Sequence, residues 1–329
     1  MAETLSLTLV IAAYNEQSAL PVLHPRLSKV LDGLDVDSRV LYVDDGSRDD
    51  TWAVLQQIAA ADPRVSLLRL ARNFGKELAL TAGLDQVHTD AAMVLDADGQ
   101  DPPELIPAFV AKWREGHDVV YGTRTRRDGE TWFKKFTAAG FYRVMRWLSQ
   151  TDIPRDTGDF RLMSRRVLDA LRQLRERQRF MKGLFTWVGY RQVALPYERE
   201  ARVAGDTKFN YWRLWNLALE GITSFSTVPL RLATYVGVLT ALLAFAWGLW
   251  IIARTVLWGD PVQGWPSLMT VVLFLGGLQL VALGIIGEYL GRLYLESKQR
   301  PLYLVSETVG PAPVGGPSGP TISLPPSRP

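Results

Sequence analysis

At Val94-Leu95-Asp96-Ala97-Asp98-Gly99-Gln100-Asp101-Pro102-Pro103 an apolar run gives way to acids, a glycine and paired prolines. Residues two apart on an extended backbone face the same side, so Asp96, Asp98 and Gln100 are expected to aim two carboxylates and one neutral oxygen at a single point. Such a set suits hard divalent cations. Mg²⁺ in particular keeps positions open for substrate phosphates. A lone Asp-x-Asp before prolines reads as easily as a surface turn, so its surroundings must decide.

Those surroundings are a regular alternation. Apolar, β-branched runs at Leu5 to Ala13, Val40 to Val43, Val65 to Leu70, Ala91 to Leu95 and Val119 to Tyr121 read as strands. Between them Leu20, Leu23, Leu27, Val30, Leu31 and Leu34 recur at helical spacing, and helices are expected from Ser47 through Ala59, Gly75 to about Val87 and Pro103 to Glu115. Ser47 with Asp50 three residues on has the spacing of a capping pair. Strand and helix in alternation predict an α/β domain around a mainly parallel sheet, with ligands at the carboxyl ends of its strands. Polar clusters stand there five times over: Asn15 and Glu16, Asp44 and Asp45, Asn73 to Lys76, Asp96 to Asp101, and Arg124.

Composition removes several chemistries. The 329 residues include no cysteine, which excludes disulfides, thiolate catalysis and cysteine zinc sites. The three histidines, His24, His88 and His117, lie outside metal-ligand spacing of one another. No Gly-x-Gly-x-x-Gly follows the first strand and no Gly-x-x-x-x-Gly-Lys-Ser/Thr occurs, so a nucleotide would be held by acids and a metal instead.

Val10-Ile11-Ala12-Ala13-Tyr14-Asn15-Glu16, Val43 to Thr51 (VDDGSRDDT) and Asp96 to Pro103 (DADGQDPP) together resemble family 2 glycosyltransferases of the GT-A fold. More narrowly, the chain is similar over roughly residues 5 to 305 to the dolichyl-phosphate mannose synthase group, particularly bacterial polyisoprenyl-phosphate glycosyltransferases with a two-helix anchor. The resemblance implies that Ala13, Tyr14, Glu16 and Asp44 hold the base and ribose of a nucleotide sugar, with Lys76 nearby. It implies that Asp96, Asp98 and Gln100 bind Mg²⁺ or Mn²⁺ on the diphosphate. The Asp156-Thr157-Gly158-Asp159-Phe160-Arg161-Leu162 stretch also resembles a family motif beside the reacting sugar, with Asp159 as the expected base and Asp156 as its orienter. A phosphomonoester acceptor is already largely dianionic at neutral pH, with a second pKa of about 6, so Asp159 is open to a positioning role instead.

Residues 122 to 182 read as basic and less regular, with Arg126, Arg127, Lys135, Arg143 and Arg146 interleaved among aromatics. The adjacent apolar segments favour an anionic lipid over nucleic acid as partner. Arg124 and Lys134 are the expected contacts of an acceptor phosphate, with Arg202 and Lys208 as further candidates in a stretch that resembles a family loop near the acceptor. Gln178 to Gly189 reads as a helix on the membrane-facing side, and Trp212, Trp215, Leu219 and Ile222 predict an interfacial amphipathic helix within 209 to 230.

Leu232 to Ile252 and Ser267 to Gly287 are uncharged runs of 21 residues each. As helices they span about 31 Å, the hydrocarbon thickness. Arg231 precedes them and Arg292, Lys298 and Arg300 follow, whereas Trp258 to Pro266 carries no basic residue. The positive-inside asymmetry predicts both chain ends in the cytoplasm of a multi-pass inner-membrane protein. Met1 to Thr4 lacks the basic flank and apolar core of a secretory signal, in keeping with a cytoplasmic first domain.

The expected organisation is thus a catalytic domain over 1–208, interfacial helices over 209–230, a transmembrane hairpin over 231–291, a cytoplasmic segment over 292–309 and a disordered tail over 310–329. Gly284, Gly287 and Gly291 permit close helix contact, a feature of homo-oligomers. The expected reaction is inverting, metal-dependent transfer of one sugar from a UDP-sugar to a polyisoprenyl phosphate such as undecaprenyl phosphate. GDP-mannose as donor, a processive synthase and a catalytically silent scaffold are the alternatives; the Gln-x-x-Arg-Trp acceptor motif of processive synthases is absent.

Overall fold

A computed structural model describes residues 5–124, 157–177, 179, 181–198, 228–258 and 264–310. Eight strands form one sheet: β1 (Ser6–Ala13), β2 (Asp37–Asp44), β3 (Val65–Leu70), β4 (Ala91–Asp96), β5 (Val119–Arg124), β6 (Thr157–Ser164), β7 (Gln192–Tyr197) and β8 (Val305–Val309). Their spatial order is β7-β5-β6-β4-β1-β2-β3-β8. The four strands β3-β2-β1-β4 are mutually parallel. β5 pairs in parallel with β7, while β6 runs antiparallel between β4 and β5.

The helices of this domain are α1 (Leu20–Asp32), α2 (Thr51–Ala61), α3 (Lys76–Asp85), α4 (Ile106–Arg114), α5 (Arg165–Gln173) and α6 (Met181–Trp187), with a 3-10 turn at Pro103–Leu105 before α4. Alternation along each strand divides the core in two. Leu7, Leu9 and Ile11 of β1 pack with Leu20 and Leu27 of α1, Leu55 of α2 and Phe109 of α4. Val10, on the opposite face, packs with Leu80 of α3, Leu168 of α5 and Phe185 of α6. Strands covered on both faces need no polar side, which explains their nearly continuous apolar runs.

Three local expectations are corrected. The stretch 122–182, expected to be less regular, contains a buried strand, β6, whose eight residues are all inaccessible or nearly so, and the amphipathic helix α5. Ser47 does not cap α2. Its hydroxyl accepts from Asn15 N at 3.0 Å, while Asp49 Oδ1 receives Thr51 N at the helix start. Asp96, Asp98 and Gln100 do not alternate along one extended strand either. β4 ends at Asp96, Gly99 adopts φ 72°, and Asp98 Oδ1 accepts from Gln100 N at 3.1 Å, so Asp98 and Gln100 lie in a tight turn beyond the strand.

Beyond the sheet, α7 (Val228–Trp258) and α8 (Trp265–Ser297) are long apolar helices. Their windows Ala233–Trp250 and Phe274–Ser297 have no buried share, which a core helix of a soluble protein would not show. Membrane association is the solvent these surfaces require. The segment after α8 then returns to the domain. β8 pairs antiparallel with β3 through Leu67↔Val309 and Leu68↔Thr308, Ala71 N donates to Leu304 O at 2.8 Å, and Tyr303 Oη donates to Asp85 Oδ2 at 2.9 Å. Arg175 pairs with the same Asp85 oxygen at 2.7 Å, and Arg177 N donates to Glu296 near the end of α8.

β8 covers an edge that would otherwise leave unpaired backbone groups. A chain ending after Arg300 is expected to be less stable than one ending after Gly310 by about 2 kcal/mol, a fall in Tm of about 5 °C. Thermal unfolding of the two proteins in detergent measures the difference.

Candidate active site

In the order β3-β2-β1-β4 the chain reverses its direction of travel between β1 and β4, and the carboxyl ends of those strands open a crevice. Asp96 ends one of them and Ala13 the other. The adjoining loops are stitched together by side chains. Asn15, at φ 57°, donates from its backbone to Ser47 Oγ and accepts Arg48 N on its side-chain oxygen at 2.9 Å. Glu16 N donates to Thr51 Oγ1 at 2.9 Å. Gly46 has φ 64°, and a Cβ there would meet the Arg72 backbone at 2.5 Å, so glycine is required where two loops touch.

The two acids after β2 have separate tasks. Asp45 accepts Phe74 N at 2.7 Å on one oxygen and Gly75 N at 2.9 Å on the other, and so fixes the turn that starts α3. Asp44 is fully buried. One of its oxygens takes Ser47 N at 3.0 Å. The other forms an ion pair with Arg69 Nε at 3.3 Å and has no hydrogen-bond partner.

Lys76, at the first position of α3, reaches across the crevice. Its Nζ lies 2.5 Å from Asp96 Oδ1 and 2.6 Å from Asp159 Oδ2. Partial enclosure disfavours its charge, but Asp96 and then Asp159 outweigh that and hold its pKa above the ordinary lysine value. Asp159 lies in β6, whose register with β4 pairs Val94 with Arg161; carried two residues on, the same register sets Asp159 opposite Asp96. Burial pushes the Asp159 carboxyl up, and Lys76, Lys182 and Arg161 together pull it well below the ordinary range. An acid held ionised in this way is a weak proton acceptor near neutrality.

Residues that the sequence did not single out complete this cluster. Lys182 of α6 stands near Asp159, Lys76 and Arg124, and burial lowers its pKa. Arg161, fully enclosed, is drawn down to about 10 by burial; it donates to Gly158 O at 3.1 Å and stacks 4.0 Å from the Phe185 ring centre. Glu77 accepts Met181 N at 2.9 Å. At the end of β5, Arg124 has a buried Nε without a partner, and a Cβ on Gly158 would lie 3.1 Å from its guanidinium, so Gly158 makes room for it. Tyr197 donates to Asp101 Oδ1 at 2.7 Å beside this group.

The structure therefore brings Lys76, Asp96, Asp159 and Arg124 to one end of the sheet, next to the loops of Ala13, Glu16 and Asp44. Tyr14 projects from the same β1 loop with 38% of its surface exposed. Asp98 is buried and Gln100 half-buried in the turn after Asp96. Among the described residues no three acids or histidines form a ligand cluster; Asp96, Asp98 and Gln100 offer oxygen donors of the kind a hard cation takes when phosphates complete its shell. Asp156, Lys134, Arg202 and Lys208 lie outside the described residues.

Residues 8–172 match Glycosyl transferase family 2, and residues 228–293 match the GtrB C-terminal hairpin. The chain belongs to glycosyl transferase family 2. An uncharacterized glycosyltransferase of Synechocystis sp. is 52% identical over 307 residues, covering 93% of this chain and 96% of the relative. A bactoprenol glucosyl transferase of Shigella phage SfV is 45% identical over 301 residues, covering 92% and 98%. A prophage bactoprenol glucosyl transferase homolog of Escherichia coli is 44% identical over 301 residues, again covering 92% and 98%. The protein is a family 2 glycosyltransferase with a GT-A-like domain and a C-terminal pair of membrane-length helices.

Glu77 gives this family 2 site a measurable titration. Burial, then Asp159, raises its pKa from 4.5 to about 7. The folded state thus retains a proton that the unfolded chain has lost, a contribution complete below about 4.5 and lost as pH rises through about 7. Glu77→Gln, which keeps an acceptor for Met181 N, is expected to remove that loss. Melting curves at pH 5 and pH 8 should show wild-type Tm falling relative to the variant over this interval.

Proposed function

We propose that this enzyme transfers a single sugar, with inversion, from a UDP-sugar to a polyisoprenyl phosphate such as undecaprenyl phosphate. The observation that carries the reading is the convergence of Asp96, Lys76 and Asp159 at the β1/β4 crevice of a domain fused to two lipid-length helices. The phage relatives, described as bactoprenol glucosyl transferases, support the same acceptor class.

Asp44 accepts an N–H of the base, Tyr14 offers an exposed ring, and Ala13 and Glu16 line the ribose. Asp96, Asp98 and Gln100 would hold Mg²⁺ or Mn²⁺, and that ion would supply neutralising charge to the departing diphosphate. Arg124 and Lys182 receive the acceptor phosphate, the arginine as a planar fork and the lysine as a point charge. Lys134, Arg202, Lys208 and Asp156 are further candidates near the acceptor and the reacting sugar. A phosphate oxygen of the lipid attacks the anomeric carbon, whose bond to the diphosphate breaks with its electron pair leaving on the diphosphate oxygen. Asp159 stays ionised throughout, orienting the cations around it instead of taking a proton.

The same reading puts both ends of the hairpin on the cytoplasmic side of the membrane. It is supported by β8, a strand beyond the hairpin that lies in the same sheet as the strands before it, and by Arg231, Arg292, Lys298 and Arg300 flanking those ends.

Radiolabelled nucleotide sugars incubated with membranes and undecaprenyl phosphate test the reading. Label from a UDP-sugar should enter the lipid phase in a Mg²⁺- or Mn²⁺-dependent manner, and Asp96→Ala should lower the rate by about a hundredfold or more while the protein stays folded. Transfer from GDP-mannose alone would replace the donor, and full activity in Asp96→Ala would sink the metal assignment.

A further inference from the structure

The Lys76 ammonium stands where a metal-bound donor would need the Asp96 carboxylate. Its two contacts, 2.5 Å to Asp96 and 2.6 Å to Asp159, make it the ion-pair partner shared by an acid of β4 and an acid of β6. We propose that Lys76 is a resident counter-cation that occupies Asp96 and engages Asp159 until a nucleotide diphosphate arrives, then passes its ammonium to that diphosphate. The inference rests on the reading of Asp96 as a metal ligand, and it deepens that reading.

Three features make the exchange feasible. The base of Lys76 is fixed, because Asp45 holds the two preceding backbone N–H groups, while 45% of its side chain is open to solvent. A four-carbon stem on a fixed base can swing without moving the helix. Second, Asp159 does not become an isolated buried charge when Lys76 leaves, since Lys182 and Arg161 continue to act on it. Third, two carboxylates and an amide offer a divalent ion too few ligands to displace an ammonium easily. A diphosphate changes the balance by adding oxygens to the metal and giving the lysine a new anionic partner.

Donor loading and the release of Asp159 thereby become one event. Metal, nucleotide and the contacts of Asp159 are linked through a single side chain, and the linkage is reciprocal.

Mn²⁺ binding to the full-length protein in detergent, followed by electron paramagnetic resonance of the free ion without nucleotide, tests this directly. Lys76→Met is expected to bind Mn²⁺ about tenfold more tightly than wild type, ~1.4 kcal/mol, and Lys76→Gln to show the same gain. Lys76→Arg, which keeps the charge, should retain weak binding. Lys182→Met removes equal charge from the cluster without touching Asp96, and so gauges the general field. A gain in Lys182→Met as large as in Lys76→Met would overturn direct competition, as would unchanged or weaker Mn²⁺ binding in both neutral Lys76 variants. Asp98→Asn separates the two levels. If it leaves Mn²⁺ binding intact, the metal assignment fails; if it weakens binding while the Lys76 variants equal wild type, the counter-cation role alone fails.

Discussion

Two carboxylates brought to the same end of one sheet repel each other, and neither is comfortable away from water, unless a cation stands between them. In this protein β4 and β6 impose that problem through their register, and Lys76 answers it. Much else in the domain serves the position of that ammonium. The doubly wound strand order opens the crevice it crosses, Asp45 fixes the turn from which it springs, and Lys182 and Arg161 supply the positive surroundings that keep Asp159 ionised.

Those surroundings matter for chemistry as much as for stability. A site that receives a nucleoside diphosphate and a lipid phosphate must hold several negative charges close together. Its cations must be placed in advance, because reorganising them at the moment of reaction would raise the barrier. Arg124, enclosed beside Gly158, and Lys182, set on a short helix, are placed in this way. The carboxylates in turn keep these cations from repelling one another before substrates arrive.

The sequence made the parallel half of the domain legible because each of its strands ends in a visible change from apolar to polar residues. Asp44, Lys76, Asp96 and Arg124 were found by that signal alone. Asp159 was found only by resemblance, and its partnership with Asp96 was hidden, because nothing local reveals that β6 inserts antiparallel beside β4 some 60 residues after it. Glu77 and Lys182 look like ordinary helix residues until the helices are placed. Val305-Ser306-Glu307-Thr308-Val309 is β-branched at three of its five positions, yet its location beyond the hairpin gave no cue to its partner.

That last strand sets the order in which the protein can be built. β8 pairs Glu307 with Arg69, 238 positions earlier, so during synthesis the β3 edge stays open while the whole hairpin is made. An open edge invites pairing with other chains, and contacts between such distant segments form late. The catalytic sheet is therefore closed last, after every residue of the hairpin has been synthesised, and a chain that stops short of β8 carries an unfinished sheet.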